Sequence, residues 1–255
     1  MKYPKEVNAY CPKCRKHTPH KVKLVSKGKL MDFDRVIANP PFSLAEWGRE
    51  SAEADGYGRF RFGLPPAGKG DMAFVQHMIA TMKKKGMVGV VMPHGVLFRG
   101  GAEGKIREGF VREDLLEAVI GLPSRLFYGA GIPAAILVFN ADKPKDRREK
   151  VLFIHAAEGF EAATNQNRLR AQDIERIVNV YQGFLDEVKF SRGVPTKEIE
   201  ENDFNLNISR YVDAVEDEPI PDVREALRAL REAQKRRDEA EKKMDAMLRE
   251  FGYDK

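Results

Sequence analysis

The chain has 255 residues, 42% of them apolar and 33% charged, with a mean hydropathy of −0.48 and a formal net charge of +5. That length suits one medium domain or two small ones, and no unbroken apolar run approaches the ~18 residues that a membrane-spanning helix needs. The N-terminus leads into Cys11 and Cys14 rather than into an apolar core, so it does not read as a secretory signal. Two closely spaced cysteines cannot frame a disulfide scaffold and point instead to metal or redox chemistry in a reducing, intracellular compartment.

The positive charge is not spread along the chain. Residues 1–29 hold nine basic residues against the single acid Glu6, a net +8, which leaves the remaining residues at −3. This leader is thinly apolar and too short to bury a core unaided. Beyond residue 30, apolar runs and helical patterns alternate. Phe33 to Ala38 reads as a buried strand. Asp71 to Lys85 reads as a helix with Met72, Phe74, Val75, Met78, Ile79 and Met82 on its apolar face and three lysines at its C-terminal end. Met87 to Met92 is a strand stopped by Pro93, and Ala102 to Val111 is a helix. Strands follow over Leu115 to Ile120, Pro133 to Phe139 and Val151 to Ile154, then a helix over Ala171 to Val188. Strands alternating with helices predict an α/β layered fold with a largely parallel sheet. From Pro221 a seven-residue spacing aligns Val223, Leu230, Arg237, Met244 and Phe251 beside Ala226, Ala233, Ala240 and Met247. Such a helix lies against its own domain or pairs with another chain. The organisation expected is thus a leader (1–29), an α/β domain (30–190), a connecting segment (191–220) and a C-terminal amphipathic helix for subunit association (221–255).

Asn39-Pro40-Pro41-Phe42 is the stretch that carries chemistry. It follows the first strand of the α/β region, where ligands of open α/β sheets gather, and its prolines stiffen the backbone. The Asn39 side-chain oxygen and the Pro40 carbonyl are two acceptors suited to the two hydrogens of an exocyclic amino group such as adenine N6. Holding both favours a tetrahedral nitrogen with an available lone pair. Phe42 could stack on a base taken out of the duplex.

This tetrapeptide resembles the catalytic motif of amino-group DNA methyltransferases. The residues around it resemble specifically the methylation subunit of type I restriction-modification systems: Gly63-Leu64-Pro65-Pro66, Asp71 to Met78, Val91 to Glu103, Gly121-Leu122-Pro123, Gly131-Ile132-Pro133, Asn165 to Leu169 and Asn205 to Val212. The resemblance spans roughly residues 31–255. It implies a site-specific adenine N6 DNA methyltransferase of the prokaryotic cytoplasm, using S-adenosylmethionine. It also implies an assembly with DNA, a specificity subunit, a second methylation subunit and a restriction subunit, with no membrane partner. Asn39, Pro40, Pro41 and Phe42 would be catalytic, Phe42 also holding the base. Asp71 and Phe74 would border the donor, and His77 and His94 the target DNA. The plainer readings of Asp71, Phe74 and His77 are helix cap, core and polar packing, and that of His94 is a satisfied turn.

In that family a glycine-rich donor motif precedes Asn-Pro-Pro-Phe. Here residues 1–29 contain one glycine, Gly28. The expected fold is therefore a partial Rossmann-like methyltransferase lacking its N-terminal strands, with an exposed edge beside Asp34 to Ala38 and a C-terminal helical segment. S-adenosylmethionine binding and activity are not expected of the chain alone. Gly63 to Gly70 imitates a phosphate loop but has Gly70 where a Ser or Thr is required. Gly100-Gly101 opens a helix that Glu103 makes unwelcoming to anions. The leader resembles the start of an archaeal large-subunit ribosomal zinc-ribbon protein, but Cys11 and Cys14 make only half of a four-thiolate site, so no metal is expected. The change of character near residue 30 reads as a junction of two unrelated pieces. Three functions compete: the methyltransferase part, an interaction module docking through the final helix on a specificity subunit, and an rRNA-binding protein supported by the leader alone.

Overall fold

The computed structural model describes residues 6–11, 16–21, 32–127, 131–164, 166–212 and 223–251. Two compact units are present, Met1–Ala214 and Val215–Lys255. In the first, β1 (Glu6–Cys11) and β2 (Lys16–Lys21) pair antiparallel as a sheet of their own. Cys14 and the side chain of Cys11 lie outside the described residues, and with them the half-site read there.

Six further strands form the main sheet: β3 (Phe33–Ala38), β4 (Met82–Pro93), β5 (Leu116–Gly121), β6 (Ala134–Asn140), β7 (Lys150–His155) and β8 (Ser191–Pro195), in the order β3-β4-β6-β5-β7-β8. Helices α1 (Arg49–Glu53), α2 (Asp71–Ala80), α3 (Ala102–Arg112), α4 (Ala171–Gly183) and α5 (Thr196–Glu201) accompany them. The expectation of an α/β fold holds, but the sheet is not largely parallel. Only β3–β4 and β5–β7 are parallel pairs, whereas β4–β6, β5–β6 and β7–β8 are antiparallel. The connector over residues 122–133 holds no helix among its described residues. A chain that does not cross over must return antiparallel, and β6 accordingly slots between β4 and β5.

Two helix ends also differ from the sequence reading. The helix expected through Lys85 stops at Ala80, and Lys83 to Lys85 belong to β4. The long-range pairing with β3 takes over there: the Phe33 amide donates to the Thr81 carbonyl at 2.8 Å and Phe33 stands opposite Met82. The helix expected through Val188 ends at Gly183, where Phe184 adopts a left-handed conformation (φ 50°) and its amide bonds back to the Tyr181 carbonyl.

Apolar residues fill both faces of the sheet. On one, Met72, Val75 and Ile79 of α2 and Ile106 and Phe110 of α3 meet Val88, Val90, Leu137, Phe139 and Phe153, joined by Leu206, Ile208 and Tyr211. On the other, Ile177 and Val180 of α4 meet Ala118, Ile120, Leu152 and Ile154. This second cover sits over β5 and β7. β3 is mostly exposed rather than buried, and Ile37 is 86% accessible. As the sequence led us to expect, β3 is an edge strand.

The second unit holds α6 (Val223–Glu250). Leu227, Leu230, Met244, Met247 and the following Phe251 are exposed. No helix among the described residues is long and apolar enough to cross a membrane.

Candidate active site

The C-terminal ends of β3, β4, β5 and β7 point the same way, and β6 begins at that same edge. Asn39 to Phe42 leave β3 there. Asn39 is exposed, and its carboxamide has no hydrogen-bond partner among the described residues. Pro40 and Phe42 are half-buried. The Phe42 ring meets Phe127 edge-on, centroids 6.3 Å apart at 76°. Phe127 sits in the connector leading into β6, so it reaches this edge because β6 runs backwards. Nothing in the local sequence marked it.

The segment after Phe42 is sewn to the start of α2. The Ser43 amide donates to Asp71 Oδ1 at 2.7 Å, the Gly70 amide to the Leu44 carbonyl at 2.9 Å, and Trp47 Nε1 to the Pro66 carbonyl at 3.0 Å. Gly70 is required by this approach, since a Cβ there would lie 2.6 Å from the Trp47 Cβ.

The other residues singled out in the sequence fall in different places. Asp71 is fully buried, and its second oxygen, Oδ2, accepts from Arg99 at 2.8 Å. Phe74 and His77 share a cleft of about 390 Å³ with Trp47, Arg59 and Phe60. Burial, with the nearby Arg59 cation, holds the His77 pKa below its usual value against the pull of Asp55. His94 opens the turn after β4, and its Nε2 lies 3.1 Å from the Ala134 carbonyl, which makes Nε2 the protonated nitrogen. Burial lowers its pKa, opposed by that hydrogen bond and aided by His155. The structure thus puts Asn39 to Phe42 with Phe127 at one point of the edge, Asp71 directly beneath, and Phe74 with His77 in the adjoining cleft.

Among the described residues, the groups that the sequence offered for S-adenosylmethionine are already engaged within the protein. In the glycine-rich stretch the Gly63 amide bonds the Phe60 carbonyl, the Lys69 amide that of Pro66 and the Gly70 amide that of Leu44, so these three are not available to a ligand. Glu103 is buried against Arg99 at the entrance of α3, and Asp71 has both oxygens engaged.

A layered α/β sheet with Asn-Pro-Pro-Phe at a strand end is the arrangement expected from the resemblance to amino-group methyltransferases, and the comparisons support that class. Within that class the chain belongs to the N-6 DNA methylase family, whose model matches residues 15–219. It is similar to the type I restriction enzyme MjaVII methylase subunit of Methanocaldococcus jannaschii, with 40% identity over 82% of this chain and 37% of that protein. The type I restriction enzyme HindI methylase subunit of Haemophilus influenzae is 34% identical over 74% of this chain and 43% of that one. Among solved structures, the type I restriction-modification methyltransferase subunit of Streptococcus thermophilus aligns with a TM-score of 0.69 at 38% identity, over 76% of this chain and 40% of that one. The chain therefore spans about two fifths of the length of these relatives. The family match begins inside the leader, and these comparisons lend its ribosomal resemblance no support.

Proposed function

We propose that this chain supplies the acceptor side of a type I adenine N6 DNA methyltransferase, and that the described residues do not by themselves hold S-adenosylmethionine. One observation carries the reading: Asn39 stands exposed at the edge strand's end, its carboxamide unpartnered among the described residues, on a backbone stiffened by two prolines and fixed at Ser43. In the reaction, the Asn39 oxygen and the Pro40 carbonyl accept the two N6 hydrogens. Holding both hydrogens would favour a tetrahedral nitrogen whose lone pair is available to an electrophile. Phe42, with Phe127 edge-on beside it, offers an apolar wall to a base out of its stack. The donor, when bound, supplies the methyl group.

The assembly we assign to it holds DNA, a specificity subunit, a second methylation subunit and a restriction subunit in the prokaryotic cytoplasm. The exposed apolar side chains of α6 support a role for that helix in subunit association. Recognition of a DNA sequence falls to the specificity subunit.

The test has two parts. Calorimetry of the chain alone with S-adenosylmethionine should show no heat of binding; micromolar affinity would place the donor site within these residues. The chain should then be mixed with the remaining part of the Streptococcus thermophilus subunit and the specificity subunit of that system. Tritiated methyl groups should pass into DNA with this chain and not with its Asn39→Ala variant. Equal labelling by the two would overturn the assignment of the acceptor site.

A further inference from the structure

We infer that Asp71, Arg99 and Glu103 form a buried ionic brace that positions the segment following Asn39 to Phe42, with Asp71 and Arg99 as positioning residues for that site. The inference rests on the acceptor-site reading above for its purpose, though not for its geometry.

Ser43 has φ 52°, a left-handed conformation that a non-glycine residue holds only when its surroundings impose it. Its amide is the one that Asp71 Oδ1 captures. Asp71 is the first residue of α2, where a carboxylate ordinarily serves its own helix. Here one oxygen goes to a loop amide 28 residues earlier and the other to Arg99. Arg99 belongs to the turn after β4, so the brace ties the loop leaving one strand to the loop leaving its neighbour. The Arg99 side chain also meets the buried Glu103: Nη2 donates to Oε1 at 3.0 Å, and Nε lies 2.7 Å from Oε2, close enough for an ion pair but off the line of a hydrogen bond.

The far end of the brace is fixed as well. Arg107, 3% accessible, donates from Nη1 to the carbonyls of Val96 and Arg99 and from Nε to that of Phe204. Two buried carboxylates and two guanidiniums thus form one continuous chain from Phe204 to Ser43. Buried ion pairs contribute little net stability compared with apolar replacements, and what they can add is the choice of a single arrangement. The arrangement selected here is the left-handed turn beside Phe42.

The chain contains a single tryptophan, Trp47, within the braced segment. Its acrylamide quenching therefore reports that segment directly. Asp71→Asn and Arg99→Gln should raise the quenching constant about twofold or more, as expected where a loop opens locally, while far-UV circular dichroism stays native. Arg99→Lys, which keeps the charge, should restore part of the protection. Lys143→Met removes a pair between a buried lysine and the half-buried Asp114 at 2.6 Å and is the control: it should lower the melting temperature and leave Trp47 quenching as in the wild type. Unchanged quenching in both Asp71→Asn and Arg99→Gln overturns the brace, as does an equal rise in Lys143→Met. A second readout separates this result from the functional proposal. Anisotropy should show wild-type protein preferring a fluorescent oligodeoxyadenosine strand to oligothymidine, with the preference lost in Arg99→Gln and in Asn39→Ala. No preference in the wild type would count against adenine recognition while the quenching result still decides the brace.

Discussion

β5 and β7 are buried along both faces, with α4 on one side and α2, α3 and the segment ending at Val212 on the other; β3 has one neighbour and an outer face open to solvent. The strands that carry the fold and the strand that carries the chemical motif are therefore different strands. Packing fixes the centre, whereas at the edge the position of Asn39 to Phe42 depends on a few directed bonds, from Ser43 to Asp71, Leu44 to Gly70 and Trp47 to Pro66. Geometry at a poorly covered edge can be as definite as in a core, but it rests on fewer contacts.

Substitutions should separate the two regimes. The largest effect is expected in the centre: Phe153→Ala empties a fully buried site against which Tyr211 lies at 4.3 Å, and should cost about 3–5 kcal/mol in urea unfolding. A cost below about 1 kcal/mol would mean that the centre is far less tightly packed than its burial indicates.

A smaller effect is expected from pH. His94 has its pKa lowered by burial, so the unfolded chain binds the proton more readily than the folded one. Its contribution to stability is complete above the unfolded value near 6.5 and is lost as the pH falls through that value towards the folded one. His77 acts with the same sign. Melting temperature should decline from neutral to mildly acidic pH, and His94→Gln should flatten that decline. A steeper acid loss in the variant would contradict the burial.

At the edge, Ile37→Lys should change unfolding free energy by no more than about 0.5 kcal/mol. Sedimentation should show less self-association, because a charge blunts an open strand edge. Marked destabilisation would reveal that the outer face of β3 is already covered.

The same division governs how much the sequence told. β3 was legible to the residue, and the Asn39 to Phe42 motif with it, because an apolar run followed by Asn-Pro-Pro-Phe is a local signal. The C-terminal lysines of the expected helix were misread because their place in β4 is decided by pairing with Phe33, some fifty residues earlier. β8, with Val194 as its one buried apolar residue, carries no apolar run, and its register with β7 is a tertiary decision. Asp71 was visible as a residue of interest, but its engagement with Ser43 and Arg99 was not. Phe127 was invisible for the same reason as the antiparallel course of β6 that delivers it.

A strand bonded on one side has a consequence for the timescale on which the motif is held. Among the described residues the outward-facing amides of β3 lack a ladder partner, and those bonded to β4 are protected only while that single seam stays closed. Deuterium should accordingly enter residues 33–38 by small openings of the seam, well before the amides of β5 and β7, which wait for global unfolding. Asn39 to Phe42 would then sit at the fast-exchanging margin of an otherwise slow sheet, a hierarchy that a second strand laid along β3 would abolish.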